Sequence, residues 1–317
     1  MRTLVIGGTG HIGTYLVPGL VGLGHDVTVL SRGERTPYHS DGAWKNVTIQ
    51  HADRAAEDAD GTFGRRVADL NPDIVIDLIC FTEDSARQLT EALEGRIQHL
   101  LHCGTIWVHG PSVTVPTRED APRRPFGDYG IQKAAIESYL LTKARRDGFP
   151  VTVIHPGHIC GPGWTPVNPA GNFDLGVYDQ LARGQELALP NFGLETLNPV
   201  HAADVADIFL AALSSRSTAL GESFHAVASD ALTLRGYAES LARWFGQEAK
   251  LTFQPWEEWS RNASEQDAAA TRDHISHSPN CSMEKAARLL GFRPRDSALD
   301  AALSGITWLV ENGKITT

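Results

Sequence analysis

Leu4-Val5-Ile6-Gly7-Gly8-Thr9-Gly10-His11-Ile12-Gly13 is an apolar run that ends in a glycine-rich turn. A buried strand that breaks into Gly-x-x-Gly-x-x-Gly and resumes as a helix has the geometry that receives a dinucleotide pyrophosphate. Glycine permits the tight turn and lets the backbone approach the phosphates, and the following helix directs its positive end at them. A second apolar run, Val27-Thr28-Val29-Leu30, follows at the spacing of a βαβ unit.

Further short apolar runs stand at Val47–Gln50, Ile74–Ile79, Leu100–Cys103 and Val151–His155, with helix-like stretches between them. Such alternation predicts an α/β chain: a doubly wound, Rossmann-type parallel sheet covered on both faces, with ligands beyond the carboxyl ends of the strands. The alternation stops at Gly161-Pro162-Gly163-Trp164-Thr165-Pro166. Residues 1–163 are therefore expected to form the dinucleotide-binding domain, which the chain rejoins at about 198–228. Residues 164–197 and 229–317 are expected to form a smaller substrate-binding lobe. Helices are expected around 84–94 and 129–145, from His201 onward, and around 234–245 and 297–312. Much of 164–197 and 229–275 shows no period and reads as irregular, with Trp256 and Trp259 covering a small core.

The 28 basic and 38 acidic residues give a net charge of −10. Without a Lys/Arg block, this balance argues against a nucleic-acid or membrane partner. Four widely spaced cysteines with no Cys-x-x-Cys pair point to a reduced, cytoplasmic protein without disulfides. A first strand at residue 3 leaves no room for a signal peptide, and no apolar stretch is long enough to span a bilayer. No histidine pair has the tight spacing of a metal site, so no metal is expected.

Tyr129-Gly130-Ile131-Gln132-Lys133 sets a phenol and an ammonium four residues apart, on one face of any helix that starts there. Tyrosine is a poor base at neutral pH. A neighbouring ammonium favours the phenolate and makes the pair a proton shuttle.

Taken together, these elements resemble the extended short-chain dehydrogenase/reductase superfamily, in its NAD-dependent epimerase/dehydratase branch. The likeness runs over essentially the whole chain. The glycine turn matches at Gly7, Gly10 and Gly13, with Thr9, His11 and Ile12 between them. Asp53-Arg54 resembles the pair that contacts adenine, and Leu78-Ile79 stand where the fourth strand passes the cofactor. Cys103-Gly104-Thr105-Ile106-Trp107-Val108-His109-Gly110 is similar to a Ser-Ser-x-x-x-Val-Tyr-Gly segment, and Tyr129 follows 24 residues after Thr105. His155-Pro156-Gly157-His158-Ile159-Cys160-Gly161-Pro162 resembles an Arg-Pro-x-x-x-x-Gly-Pro element, and Asn198–Ala206 the segment that re-enters the first domain. Lys285 and Leu290-Gly291-Phe292-Arg293-Pro294 match the terminal motif.

The resemblance implies a catalytic set of Thr105, Tyr129 and Lys133. It also implies a cofactor lined by the glycine turn, Asp53, Arg54, Leu78, Ile79, Lys133, Pro156 and His158. Substrate would meet Thr105, Trp107, Asn172 and Arg272. Tyr129 would exchange a proton with a substrate oxygen, Thr105 would hydrogen-bond it, and Lys133 would hold the nicotinamide ribose. A homodimer is implied as well, through apolar residues such as Leu89, Leu93, Ile136 and Leu140.

Three departures narrow the expectation. Ser31-Arg32 replaces the acidic residue that many NAD users place after the second strand, and Arg32, with Arg35, can pair with a 2′-phosphate. NADP is favoured over NAD. Ile106-Trp107 replaces the Asp-Glu of the dehydratases, and neither can move a proton, which disfavours sugar-nucleotide dehydration. Leu197 replaces an arginine that holds a nucleotide diphosphate. The expected activity is that of an NAD(P)-dependent oxidoreductase or epimerase on a sugar or sugar-nucleotide-like substrate. The alternatives are an NADPH-dependent ketoreductase on a non-sugar carbonyl and a non-catalytic NADP-binding sensor.

Overall fold

The computed structural model describes residues 1–316. Seven strands form one parallel sheet: β1 (Arg2–Ile6), β2 (Asp26–Ser31), β3 (Thr48–His51), β4 (Ile74–Asp77), β5 (His99–Cys103), β6 (Val151–Pro156) and β7 (Ser223–Ala226). Their order is β7-β6-β5-β4-β1-β2-β3. A sheet buried on both faces needs apolar residues at successive positions, and Leu4, Val5 and Ile6 are all buried. The pleat divides them. Val5 joins Leu16, Val17, Val29, Ile76, Ile154 and Phe209 beneath helices α1 (His11–Gly22) and α4 (Ala202–Ser214). Leu4 and Ile6 join Val75, Leu100 and Val153 beneath α2 (Glu83–Leu93) and α3 (Gly127–Asp147).

The strand order reverses at β1, between β2 and β4, and register there pairs Ile6 with Leu30 on one side and Asp77 on the other. Ile6, Asp77, Cys103 and Pro156 consequently end their strands along one edge, which is where a doubly wound sheet opens its crevice.

A third apolar cluster is built from Tyr178, Leu189 and Leu197 together with α5 (Leu234–Trp244) and α7 (Ala298–Glu311). Trp259 is buried there and donates through Nε1 to the Ala188 carbonyl at 3.0 Å, with Trp256 stacked beside it. The segments that read as irregular are more ordered than their composition suggests. They hold a strand pair (Glu186–Pro190 with Lys250–Gln254), a short helix (Gly176–Ala182), and α6 (Glu265–His277).

Leu89, Leu93, Ile136 and Leu140 correct the expectation drawn from them. All four are buried between α2, α3 and the sheet, and offer nothing to a two-fold partner. All four cysteines are free and buried. Among the described residues, no helix is long and apolar enough to cross a membrane.

Histidine burial has a consequence for stability. Burial lowers the pKa of His11 and His109 to about 3 and of His99 to about 4, and holds His102, His158 and His225 well below the ordinary value. In the unfolded chain these imidazoles bind protons below about pH 6.5, whereas in the folded chain they do not. Stability is therefore complete above that value and falls as pH drops, by up to about 1.4 kcal/mol per pH unit for each such group. Thermal unfolding followed by circular dichroism should show a flat Tm from pH 8 to 7 and a steep decline toward pH 5. A Tm unchanged at pH 5 contradicts neutral burial of these rings.

Candidate active site

Helix α3 begins at Gly127, two residues before Tyr129, so phenol and ammonium fall on one stripe of its first two turns. Lys133 is 2% exposed, and its Nζ donates to the carbonyls of Cys80 (2.8 Å) and Cys103 (2.7 Å). These carbonyls lie just beyond β4 and at the end of β5, so one ammonium gathers two strand ends against α3. An ammonium has three donors; two are engaged here. Burial lowers the Lys133 pKa, an effect that nearby Cys103, Cys80 and Asp77 oppose.

Thr105 caps the short 3₁₀ turn Ile106–His109: its hydroxyl oxygen accepts from the Trp107 N–H at 3.3 Å. The hydroxyl proton is left to point elsewhere. Tyr129 as a residue is 44% exposed, yet burial around its phenol end pushes its pKa up to about 12, with the Thr105 side chain working in the other direction. The structure thus brings Thr105, Tyr129 and Lys133 together at the carboxyl edge of the sheet.

Beside them stands a wall of rings. Trp107 meets Tyr129 edge-on at 5.8 Å and stacks on His277 at 4.2 Å, and His277 stacks on Phe126 at 4.1 Å. His274 meets Trp107, Phe173 and His158 edge-on. His158 Nδ1 accepts from the Asn198 N–H at 3.1 Å, which places the proton on Nε2. His277 Nδ1 donates to the Asp273 carbonyl at 2.7 Å, which leaves Nε2 an acceptor. Both Nε2 atoms are buried without a partner. The wall therefore holds one imidazole donor and one acceptor, both buried and both uncharged.

The glycine turn is shaped to receive a dinucleotide. A Cβ at Gly13 would collide with the Gly8 carbonyl, so the turn closes only with glycine there. Gly10 is the N-cap of α1, with no side chain on the cap and no acidic residue in the first turn. The helix end therefore remains suited to an anion. Leu78 and Ile79 lie half-buried after β4, with Ile79 against Gly7, and Pro156 ends β6. Thr9 and Ile12 are buried in the turn, while His11 stacks on Trp164 at 5.2 Å with both ring nitrogens unpartnered. Ser31 is buried and its hydroxyl accepts from Gly33 N–H. Arg32 is exposed and pairs with Glu34 at 3.0 Å, and Arg35 donates to the Tyr38 hydroxyl at 3.4 Å.

Several expected ligand contacts are engaged elsewhere. Arg54 is buried: it donates to Asp77 (2.5 Å), Asp58 (3.2 Å) and Ser85 (3.0 Å) and lies over the Phe63 ring. Burial alone would lower its pKa, but Asp77, Cys80 and Asp58 hold it above the usual value. Asp53 caps the helix Arg54–Ala59 through Ala56 N–H. Asn172 is buried, accepts from Asn168 and the Asp174 N–H, and donates to Thr271 at 3.1 Å. It fastens its loop to α6 and leaves no acceptor for substrate. Arg272 sits on the exposed side of α6, whose buried side carries Thr271, His274 and His277. Asp77, Cys80 and His102 bring potential metal donors within 4.8 Å of one another, but the Arg54 guanidinium already neutralises the Asp77 carboxylate.

Spacing alone did not reveal a chain of contacts behind Thr105. The Thr105 N–H donates to His155 Nδ1 (3.0 Å), and His155 Nε2 donates to Glu137 (2.9 Å). Arg123 holds both oxygens of Glu137, at 2.6 and 2.8 Å. The one signal in the sequence was Gly104, where the resembling segment carries serine.

Comparison with known proteins places this geometry among relatives. The family model described as the NAD dependent epimerase/dehydratase family matches residues 3–225. The chain is 33% identical over 137 residues to 2'-dehydrokanamycin reductase of Streptomyces kanamyceticus, an alignment covering 43% of this chain and 37% of that protein. It is 26% identical over 302 residues to the chloroplast stem-loop binding protein of 41 kDa b of Arabidopsis thaliana, covering 92% and 75% of the two chains. The dTDP-glucose 4,6-dehydratase of Bacillus anthracis, solved in complex with NAD, superposes with a TM-score of 0.75 at 15% identity, over 99% of this chain and 98% of that one.

Arg54→Met tests the inward role of that guanidinium. Breaking a buried pair leaves an uncompensated charge, here on Asp77, at a cost of about 3–5 kcal/mol. Urea unfolding should show a loss of that order. A variant of wild-type stability that has lost only cofactor affinity contradicts the assignment.

Proposed function

The chain belongs to the NAD-dependent epimerase/dehydratase family, and on that premise we propose that it acts with NADP on a hydroxyl or keto carbon of a sugar-like substrate. The observation that carries this reading is the convergence of the Thr105 hydroxyl, the Tyr129 phenol and the Lys133 ammonium at the open edge of the sheet. The family is one of enzymes, and this chain retains all three groups.

The residues present fit a nicotinamide dinucleotide: the glycine turn and the uncapped start of α1 suit the pyrophosphate, and the third Lys133 donor suits a ribose hydroxyl. When bound, the nicotinamide supplies hydride exchange with the substrate carbon. Tyr129, with its pKa pushed up to about 12, enters as the protonated phenol, the form that donates to a carbonyl oxygen. Thr105 donates its hydroxyl proton to the same oxygen and so fixes where the new O–H forms. Reversal of the same step returns the proton from the substrate hydroxyl to the Tyr129 phenolate left by donation.

The wall of Trp107, His274, His277 and Phe126 supports a sugar-like substrate. Rings stack on the apolar face of a pyranose. His158 Nε2 and His277 Nε2, both unpartnered, suit its hydroxyls. With Asn172 and Arg272 turned elsewhere and Leu197 buried, the support for a nucleoside diphosphate handle is weak, which favours an unconjugated or aglycone-linked sugar. Ile106 and Trp107 leave no second proton carrier for elimination.

Turnover with a panel of keto sugars and NADPH tests the reaction. Tyr129→Phe should lower kcat by about 10²–10⁴-fold while leaving NADPH affinity nearly intact. A Phe variant that keeps more than about a tenth of kcat excludes tyrosine as the proton carrier.

Fluorescence titration tests the cofactor. Arg32 can exchange its Glu34 partner for a 2′-phosphate, and charge-assisted hydrogen bonds of about 1.5–3 kcal/mol correspond to a preference of roughly tenfold or more for NADPH. Glu34→Gln should sharpen that preference, and Ser31→Asp with Arg32→Leu should reverse it. NADH binding to wild type as tightly as NADPH would sink the NADP assignment and point to an epimerase with resident NAD.

A further inference from the structure

We propose that His155 is a positioning residue for Thr105, and that Gly104, His155 and Glu137 act as one unit that ties the substrate-facing hydroxyl to the helix carrying Tyr129 and Lys133. This rests on the role given to Thr105 above and adds what holds that residue in place.

The β5–β6 ladder ends with the Gly104 N–H on the Ile154 carbonyl, at 2.6 Å. Thr105 has left the sheet in an extended conformation (φ −163°, ψ 149°), and its buried N–H needs a new acceptor. The next residue of β6 supplies one from its side chain: His155 Nδ1 stands 3.0 Å from that nitrogen. The ring can reach only because residue 104 has no side chain. A Cβ there would overlap Nδ1 and stand 2.7 Å from Cε1. The glycine and the histidine are thus two halves of one adaptation.

Accepting a backbone N–H fixes the tautomer. The lone pair is on Nδ1 and the proton on Nε2, which donates to Glu137 Oε1 at 2.9 Å. Glu137 is itself immobile. Arg123 grips both its oxygens, and Arg123 Nη1 also donates to the carbonyls of Glu119 (2.8 Å) and Ala121 (2.7 Å). Burial would raise the Glu137 pKa, but the Arg123 guanidinium and the hydrogen bond from His155 hold it far below the carboxylate range.

The three groups on α3 stand at 129, 133 and 137, successive turns of one stripe. Tyr129 reaches the cleft, Lys133 fixes two strand ends, and Glu137 holds the imidazole that holds Thr105. Hydroxyl, phenol and ammonium are in this way referenced to one rigid element. A group misplaced by about 1 Å can lose ~10²-fold in rate, so this tether should appear in kcat rather than in binding.

Two substitutions divide the tether. His155→Asn keeps an acceptor near the Nδ1 position and drops the link to Glu137. His155→Gln reaches Glu137 and leaves the Thr105 N–H without its acceptor. Each cuts the tether at one end, so the expected result is a loss of ~10²-fold in kcat in both variants, with KM and NADPH affinity unchanged. Wild-type kcat in either variant, or losses that follow Tm, overturn the proposal. Thr105→Ala is measured alongside. If it keeps wild-type kcat, the role of Thr105 fails; if it is slow while either His155 variant keeps wild-type kcat, only the positioning role fails. Should the variants not fold, ¹⁵N NMR of the wild-type protein decides. A through-hydrogen-bond coupling between the Thr105 amide nitrogen and His155 Nδ1 is expected, and a protonated Nδ1 overturns the assignment.

Discussion

The ammonium of Lys133 is the contact on which the site depends. A buried charge is tolerated only when its hydrogen-bonding demand is met. Lys133 meets two-thirds of that demand with the carbonyls of Cys80 and Cys103, backbone groups just past neighbouring strands. The same two bonds draw α3 onto the carboxyl edge of the sheet and leave one donor unengaged. Tyr129 and Glu137 inherit their positions from this docking, because each is one helical turn away. A parallel sheet brings its strand ends to one edge; Lys133 gives that edge a chemical address.

What was legible in the sequence follows from the range of the interactions involved. The glycine turn, the apolar runs and the Tyr-x-x-x-Lys pair are local patterns, and the fold places each of them where local geometry demands. Arg54 reads as a ligand contact because its role is decided 23 residues away, at Asp77. Asn172 is likewise claimed by Thr271, 99 residues on. Helix α6 is hidden in the sequence for a different reason: its buried side is Thr271, His274 and His277, so it carries no apolar period to read. Leu89, Leu93, Ile136 and Leu140 show the converse. An apolar stripe does not say which partner covers it, and here the sheet does.

Gly104 shows how a departure from a family pattern can carry information that the pattern does not. Taken alone, a glycine in place of serine weakens the catalytic segment. Beside His155 it becomes the space an imidazole needs to reach the next residue's backbone. The lost side chain and the gained contact are legible only once β5 and β6 lie side by side.

The wall beyond Thr105 is aromatic and uncharged, and it includes two buried, unpartnered imidazole nitrogens. The central claim, that Lys133 joins the strand ends to the cofactor, is tested most directly by a crystal structure of the protein with NADPH bound. The account predicts that Lys133 Nζ keeps both the Cys80 and the Cys103 carbonyl and places its third donor on the nicotinamide ribose, with the Tyr129 phenol beside the ring. An ammonium that leaves either carbonyl, or a ribose held by other residues, would contradict it.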